Sequence, residues 1–196
     1  MKRVLACCLL AALAGCNEKQ ASPAPASRYE AVKAPAASAS RWCDTSFAGA
    51  APRLTLPPLA APVAGRGQAS LPAGKRVWLN LWATWCQPCL RELPLLLKWQ
   101  TDLRKDGVEV EVLLLSLDED GPVLEKFLAE HKEFASAKIG RAASQHDYEQ
   151  WVSSYVKDPG TPIPLHLLAS ADGHLRCLRG GVLREGDYPA AKAALR

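Results

Sequence analysis

Several features that would direct a functional reading elsewhere are absent from these 196 residues. No run of basic residues occurs, and no patch mixes basic and aromatic side chains, which removes nucleic acid from the candidate partners. No internal repeat recurs along the chain, which sets repeat architectures aside. The apolar stretch at the N-terminus is shorter than the roughly 20 residues a membrane-spanning helix requires. A single C-x-x-C pair is present, Cys86 and Cys89, and Leu90 follows it where a haem-attachment motif would need histidine. Neither a second C-x-x-C nor an H-x₃-H pair accompanies it, so a structural zinc lacks its remaining ligands and no metal is expected. The formal net charge of +4 is modest, and 48% apolar residues suffice for a sizeable core.

What is present begins with an export segment. "MKRVLACCLLAALAGC" opens on Lys2 and Arg3, continues as a short apolar stretch and ends in Leu13-Ala14-Gly15-Cys16. Small residues directly before a cysteine, with a polar tail behind it, resemble a bacterial lipobox. Residues 1–15 are therefore expected to be a lipoprotein signal peptide, and Cys16 the lipidated residue of an envelope or periplasmic protein held at a membrane. An ordinary secretory signal that happens to contain a cysteine is the alternative. Cys7 and Cys8 would leave with the signal, so four further cysteines remain, Cys43, Cys86, Cys89 and Cys177, in a compartment where disulfides persist.

Residues 17–40 are rich in Ala, Ser and Pro and show no apolar periodicity, so they cannot bury enough surface to offset ordering. Residues 16–40 read as a lipidated cysteine and flexible tether, and 41–196 as one domain. Within it, "LTLPPL" (54–59) suggests a short edge strand. "RVWLNLW" (76–82) is nearly all apolar, as a strand covered on both faces should be. A helix is expected from about Cys86, with Leu93, Leu96, Leu97 and Leu103 on its buried stripe and a kink at Pro94. Residues 108–117 form a second strand, and Asp120-Gly121-Pro122 opens a helix. Another helix runs from about Ser144 to the breaker Asp158-Pro159-Gly160. Two strands flank Ala171-Asp172-Gly173, a hairpin signal, and a last short helix begins near Asp187. Strand–helix–strand followed by a terminal hairpin predicts an α/β fold, a mixed sheet flanked by helices on both faces.

The cysteine pair itself points to redox exchange. A bond between residues three apart closes almost no loop and stabilises little. At a helix N-terminus, however, free N–H groups and the helix dipole favour a thiolate on the first cysteine. The second lies one turn inside, placed to attack a mixed disulfide.

The stretch "VWLNLWATWCQPCLRELP" resembles the active-site segment of the thioredoxin superfamily, nearest to the TlpA/ResA-like membrane-tethered thiol–disulfide oxidoreductases of bacteria. Its W-x-x-W-C-x-x-C core, with a proline five residues after the second cysteine, is highly specific. The resemblance is close only over 76–94 and extends in element order over about 52–190. It implies a thioredoxin-like fold, Cys86 as nucleophile, Cys89 as resolving cysteine, Gln87 and Pro88 as the redox dipeptide, and no cofactor beyond the Cys86–Cys89 disulfide. It also implies a cis-proline facing the pair. Pro162 fits a G-x-P pattern, whereas Pro164 fits the distance to the hairpin, nine residues before Gly173; the distance is weighted more, because hairpin register sets strand length. Ile163 before it and Trp85 beside the nucleophile are then candidate substrate contacts, while Trp82 belongs to the core.

Where thioredoxins proper bury an acid, this chain has Asn80. TlpA/ResA-like proteins instead carry a glutamate three residues after the second cysteine, here Glu92, which at that spacing shares a helix face with Cys89. It is either a proton relay to Cys89 or a solvated helix residue. His166 is expected to be packed or hydrogen-bonded rather than a metal ligand. Cys43 and Cys177, outside the motif, are expected to form a structural disulfide. Disulfide or thiol substrates, proteins or small molecules, are the implied partners, with a membrane electron donor feeding a reductant. A copper chaperone on the same fold would usually separate its cysteines by three residues, and a thiol peroxidase would carry threonine at position 83, where alanine stands.

Overall fold

The computed structural model describes residues 39–49, 51–63, 65–158 and 162–196. The expected signal peptide, the lipidation site Cys16 and nearly all of the tether lie outside the described residues. Among those described, no helix is long and apolar enough to cross a membrane.

Among the described residues six strands make one mixed sheet in the order β1-β6-β5-β2-β3-β4. Its centre is β2 (Arg76–Trp82), parallel to β3 (Val110–Ser116) and antiparallel to β5 (Leu165–Ala169). β2 is buried over six of its seven residues. Trp78 and Trp82 face one core, and Val77, Leu79 and Leu81 face the other. That two-sided burial explains why its sequence is continuously apolar rather than alternating. Helix α2 (Gln87–Lys105) crosses from β2 to β3 and lays Leu93, Leu96, Trp99 and Leu103 on the first core. Pro94 sits inside α2 without ending it. Leu124 and Leu128 of α3 (Gly121–Glu130) and Ala190, Ala191 and Ala194 of α5 (Tyr188–Leu195) join the same core. α4 (Gln145–Val152) covers the opposite face with Tyr148, Trp151 and Val152. Each wholly buried Leu or Trp contributes about 1.5–3 kcal/mol of transfer free energy, so both faces of the sheet hold it together.

Three elements differ from the expectations. "LTLPPL" is not a strand: its one isolated bridge is Leu59 to Ala142, and Arg53 just before it makes another to His174. Pro57 and Pro58 have no N–H to give to a ladder. The edge is instead β1 (Thr45–Ser46), preceded by a single helical turn, α1 (Ala39–Trp42). Secondly, β4 (Lys138–Arg141) is a strand that no local pattern announces. It forms because β3 offers it a parallel edge, and Gly140 is needed there, since a Cβ would lie 2.7 Å from that of Ala69 in the loop above. Thirdly, α4 ends at Val152, six residues before the expected breaker. The hairpin forms between β5 and β6 (Leu175–Gly180), with Gly173 at φ +86° supplying the left-handed turn residue.

Candidate active site

The loop after β2 is anchored before it reaches the cysteines. Both carboxylate oxygens of buried Asp118 accept the Thr84 backbone N–H, at 3.2 and 3.1 Å, and one accepts the Thr84 hydroxyl at 2.7 Å. Ser116 at the end of β3 donates to the same carboxylate at 2.7 Å. Because β2 and β3 are parallel neighbours, with Trp82 beside Ser116, their C-terminal loops leave the sheet together. Asp118 ties the two loops into one ledge. The Cys86 N–H then closes a turn onto the Ala83 carbonyl at 3.0 Å.

Cys86 is the N-cap of α2, in extended conformation, and its sulfur accepts the Cys89 N–H at 3.3 Å. Pro88 lies in the first turn, where a missing N–H costs no helical bond. Cys86 and Cys89 are disulfide-bonded with Cα atoms 5.3 Å apart. Cys86 keeps a small exposed area, whereas Cys89 has none. When the pair is reduced, a negative sulfur on Cys86 would meet the Cys89 N–H and the positive end of α2.

Across from the pair, the Ile163–Pro164 peptide bond is cis. The Ile163 carbonyl is 3.9 Å from the Cys86 sulfur, and the Pro164 carbonyl accepts the Gly181 N–H at 2.9 Å. Trp85, next to the nucleophile candidate, is exposed, while Trp82 is wholly buried.

Beneath Cys89 lies a polar cluster enclosed in the apolar core. Glu92 is buried rather than solvated, at 1% exposure. One of its oxygens accepts the Leu183 N–H at 2.7 Å, and the other accepts the Asn80 side-chain N–H at 3.0 Å. Asn80 Nδ2 also lies 3.2 Å from His166 Nδ1, and the Trp78 indole N–H donates to that same Nδ1 at 3.2 Å. Since indole only donates, Nδ1 must be an acceptor. The proton of neutral His166 is therefore on Nε2, 3.2 Å from the Gly181 carbonyl and 3.4 Å from Glu92. Two acceptors facing Asn80 Nδ2 fix the orientation of that amide, and its oxygen is left without a hydrogen bond. No group of three His, Cys, Asp or Glu side chains among the described residues is arranged to hold a metal.

Cys43 and Cys177 are bonded to each other, with Cα atoms 5.5 Å apart. They lie where β1 pairs with β6, with Ser46 opposite Cys177, and join the same core as the buried face of α2. Sequence reasoning missed Asp118, the partnership of His166 with Asn80, and the backbone of Leu183. The signal for Asp118 was present: three successive acids at the end of a buried strand include one that the strand carries into the interior.

The thioredoxin-like family model matches residues 74–168. The thiol–disulfide oxidoreductase ResA of Oceanobacillus iheyensis is 40% identical over 58 residues, which are 30% of this chain and 29% of that protein. The ResA of Geobacillus kaustophilus is 43% identical over 54 residues, 28% of this chain and 30% of that one. The chain thus matches less than a third of the length of these curated relatives. Two solved structures share the fold. One is a thiol–disulfide isomerase from Corynebacterium glutamicum, with a TM-score of 0.54 and 19% identity, covering 74% of this chain and 96% of that one. The other is the thioredoxin domain of a thiol–disulfide oxidoreductase from Bacteroides vulgatus, with a TM-score of 0.50 and 20% identity, covering 63% and 81%.

Proposed function

We propose that this chain, whose fold and active-site segment match the thioredoxin-like family related to the ResA, TlpA and DsbE thiol–disulfide oxidoreductases, is an exported, lipid-anchored reductant of disulfides. The observation that carries the reading is the Cys86–Cys89 bond at the start of α2, with the cis-proline loop's Ile163 carbonyl 3.9 Å from the outer sulfur.

In the reduced protein the Cys86 thiolate attacks one sulfur of a substrate disulfide. The substrate S–S bond breaks, a Cys86–substrate bond forms, and the departing thiolate takes up a proton. Cys89 then loses its proton and attacks the Cys86 sulfur. The mixed disulfide breaks, the second substrate thiol leaves, and the Cys86–Cys89 bond remains, so two electrons have passed to the substrate. Glu92, buried one turn after Cys89, receives the Cys89 proton in this scheme, and Asn80 and His166 hold its carboxylate. Ile163 and Trp85 form the contact surface for the substrate chain. A membrane electron donor returns the pair to the dithiol. Cys16, carrying lipid, keeps the domain at the membrane on the tether of residues 16–40.

Insulin disulfide reduction tests the chemistry. Cys86→Ser should abolish it and Cys89→Ser should accumulate mixed disulfides; first alkylation at Cys89 rather than Cys86 would reverse the assigned roles. Cys16→Ala should release the protein from membranes, whereas a wild-type chain recovered soluble and cut at another site would remove the anchor.

A further inference from the structure

Two large hydrophobic side chains are exposed among the described residues, Trp85 at 65% and Val123 at 48%. They are far apart in sequence, yet both line one groove of about 320 Å³. Leu117 and the successive acids Asp118, Glu119 and Asp120 line it too. The parallel pairing of β2 and β3 produces this meeting: Trp85 follows one strand, and the acids with the start of α3 follow the other.

The three acids are not equivalent. Asp118 is buried and already accepts from Thr84 and Ser116. Glu119 and Asp120 are exposed. Asp120 occupies the N-cap of α3, but its side chain bonds no helix N–H, so its carboxylate is not committed to capping. The Arg141 guanidinium donates to the backbone carbonyls of Asp118 and Glu119. No lysine or arginine is among the residues that line the groove, so the exposed carboxylates of Glu119 and Asp120 leave it anionic. Its wall is Trp85, the residue before Cys86.

We propose that this groove is the docking surface for a polypeptide substrate, one that presents an apolar side chain next to its disulfide cysteine and a lysine or arginine beside that. This rests on the disulfide-exchange reading above and adds a substrate class to it. The apolar side chain covers Trp85, Leu117 and Val123, and the cation pairs with Glu119 and Asp120 while the substrate sulfur lies on Cys86. Long-range attraction from the two exposed acids also raises the encounter rate with basic segments and falls with salt.

The test compares three substrates on the full chain. One is a disulfide-bonded peptide with leucine and two lysines beside its cysteine; the second replaces the lysines by glutamates; the third is hydroxyethyl disulfide, which is neutral and too small to reach from Cys86 into the groove. Wild type should reduce the lysine peptide with kcat/KM about tenfold above the glutamate peptide. The double variant Glu119→Gln, Asp120→Asn should bring that ratio to about twofold or less, as should about 0.5 M salt. Hydroxyethyl disulfide should be reduced equally by both proteins. A wild type without preference, or a double variant that keeps it, overturns the proposal. Self-association that the double variant abolishes would give the groove to a second copy and overturn it too. A wild type that reduces none of the three refutes the oxidoreductase reading itself, which is a separate failure.

Discussion

Glu92→Gln separates a buried relay from a structural carboxylate, because the substitution keeps the shape and changes only what the two outer atoms can do. In the native protein both atoms are acceptors: one faces the Leu183 N–H and the other the Asn80 Nδ2. Glutamine has one oxygen and one NH₂. With its oxygen toward Leu183, the NH₂ meets Asn80 Nδ2, donor against donor. Asn80 can flip to relieve this, but its oxygen then faces His166 Nδ1, which is held as an acceptor by Trp78. With the glutamine oxygen toward Asn80, the conflict moves to the Leu183 N–H. Either way one buried polar group is left unpaired, which costs about 1–3 kcal/mol. Urea denaturation of the oxidised protein should show that loss, with an unchanged slope against denaturant. The rate at which Cys89 resolves a mixed disulfide, followed by release of the substrate thiol, should fall by about a hundredfold, the lower end for a positioned acid–base group, and its pH profile should change. A stability loss under about 0.5 kcal/mol together with an unchanged rate and profile would refute the role assigned to this carboxylate. A stability loss alone would leave Glu92 as packing only.

Replacing Cys43 and Cys177 by alanine together frees a sequence separation of 134 residues. Chain entropy sets that at about 5 kcal/mol, and about 3–5 is expected in urea; a loss below about 1 kcal/mol, or both cysteines alkylated in unreduced wild type, contradicts it. Disulfide reduction by Cys86 should persist in that variant while it stays folded. In the hairpin, the Ser170 hydroxyl, and after it the His174 N–H, draw the Asp172 carboxyl down to about 2. A depressed carboxyl contributes stability that is present above its unfolded value near 4 and is lost as pH falls toward about 2. Asp172→Asn should therefore flatten the acid limb of stability between those two values, and an unaltered limb would show that the hairpin bonds do not persist in solution.

Much of the fold was legible because its signals are local. A continuously apolar seven-residue run marks β2, the spacing of Leu93, Leu96 and Leu103 marks the buried face of α2, and Asp172-Gly173 marks the hairpin turn. Cys86 and Cys89 stand out for the same reason, since both lie within one helical turn and their spacing is itself the chemistry. Other features depend on residues far apart in sequence, and no window along the chain contains them. β4 is a strand because β3 leaves an edge open, and Leu54–Leu59 is not one because two prolines deny it a ladder despite its apolar character. Glu92 in isolation could equally have been solvated. It is buried because the sheet brings Asn80 opposite His166, and the segment after β6 turns the Leu183 N–H inward. The pairing of Cys43 with Cys177 likewise needed β1 to lie against β6 before the two Cα atoms came within bonding range. Residue type and spacing determined which side chains carry chemistry in this protein; strand order decided which of them meet, because a hydrogen bond or a disulfide reaches only a few ångströms and only the sheet brings distant segments that close.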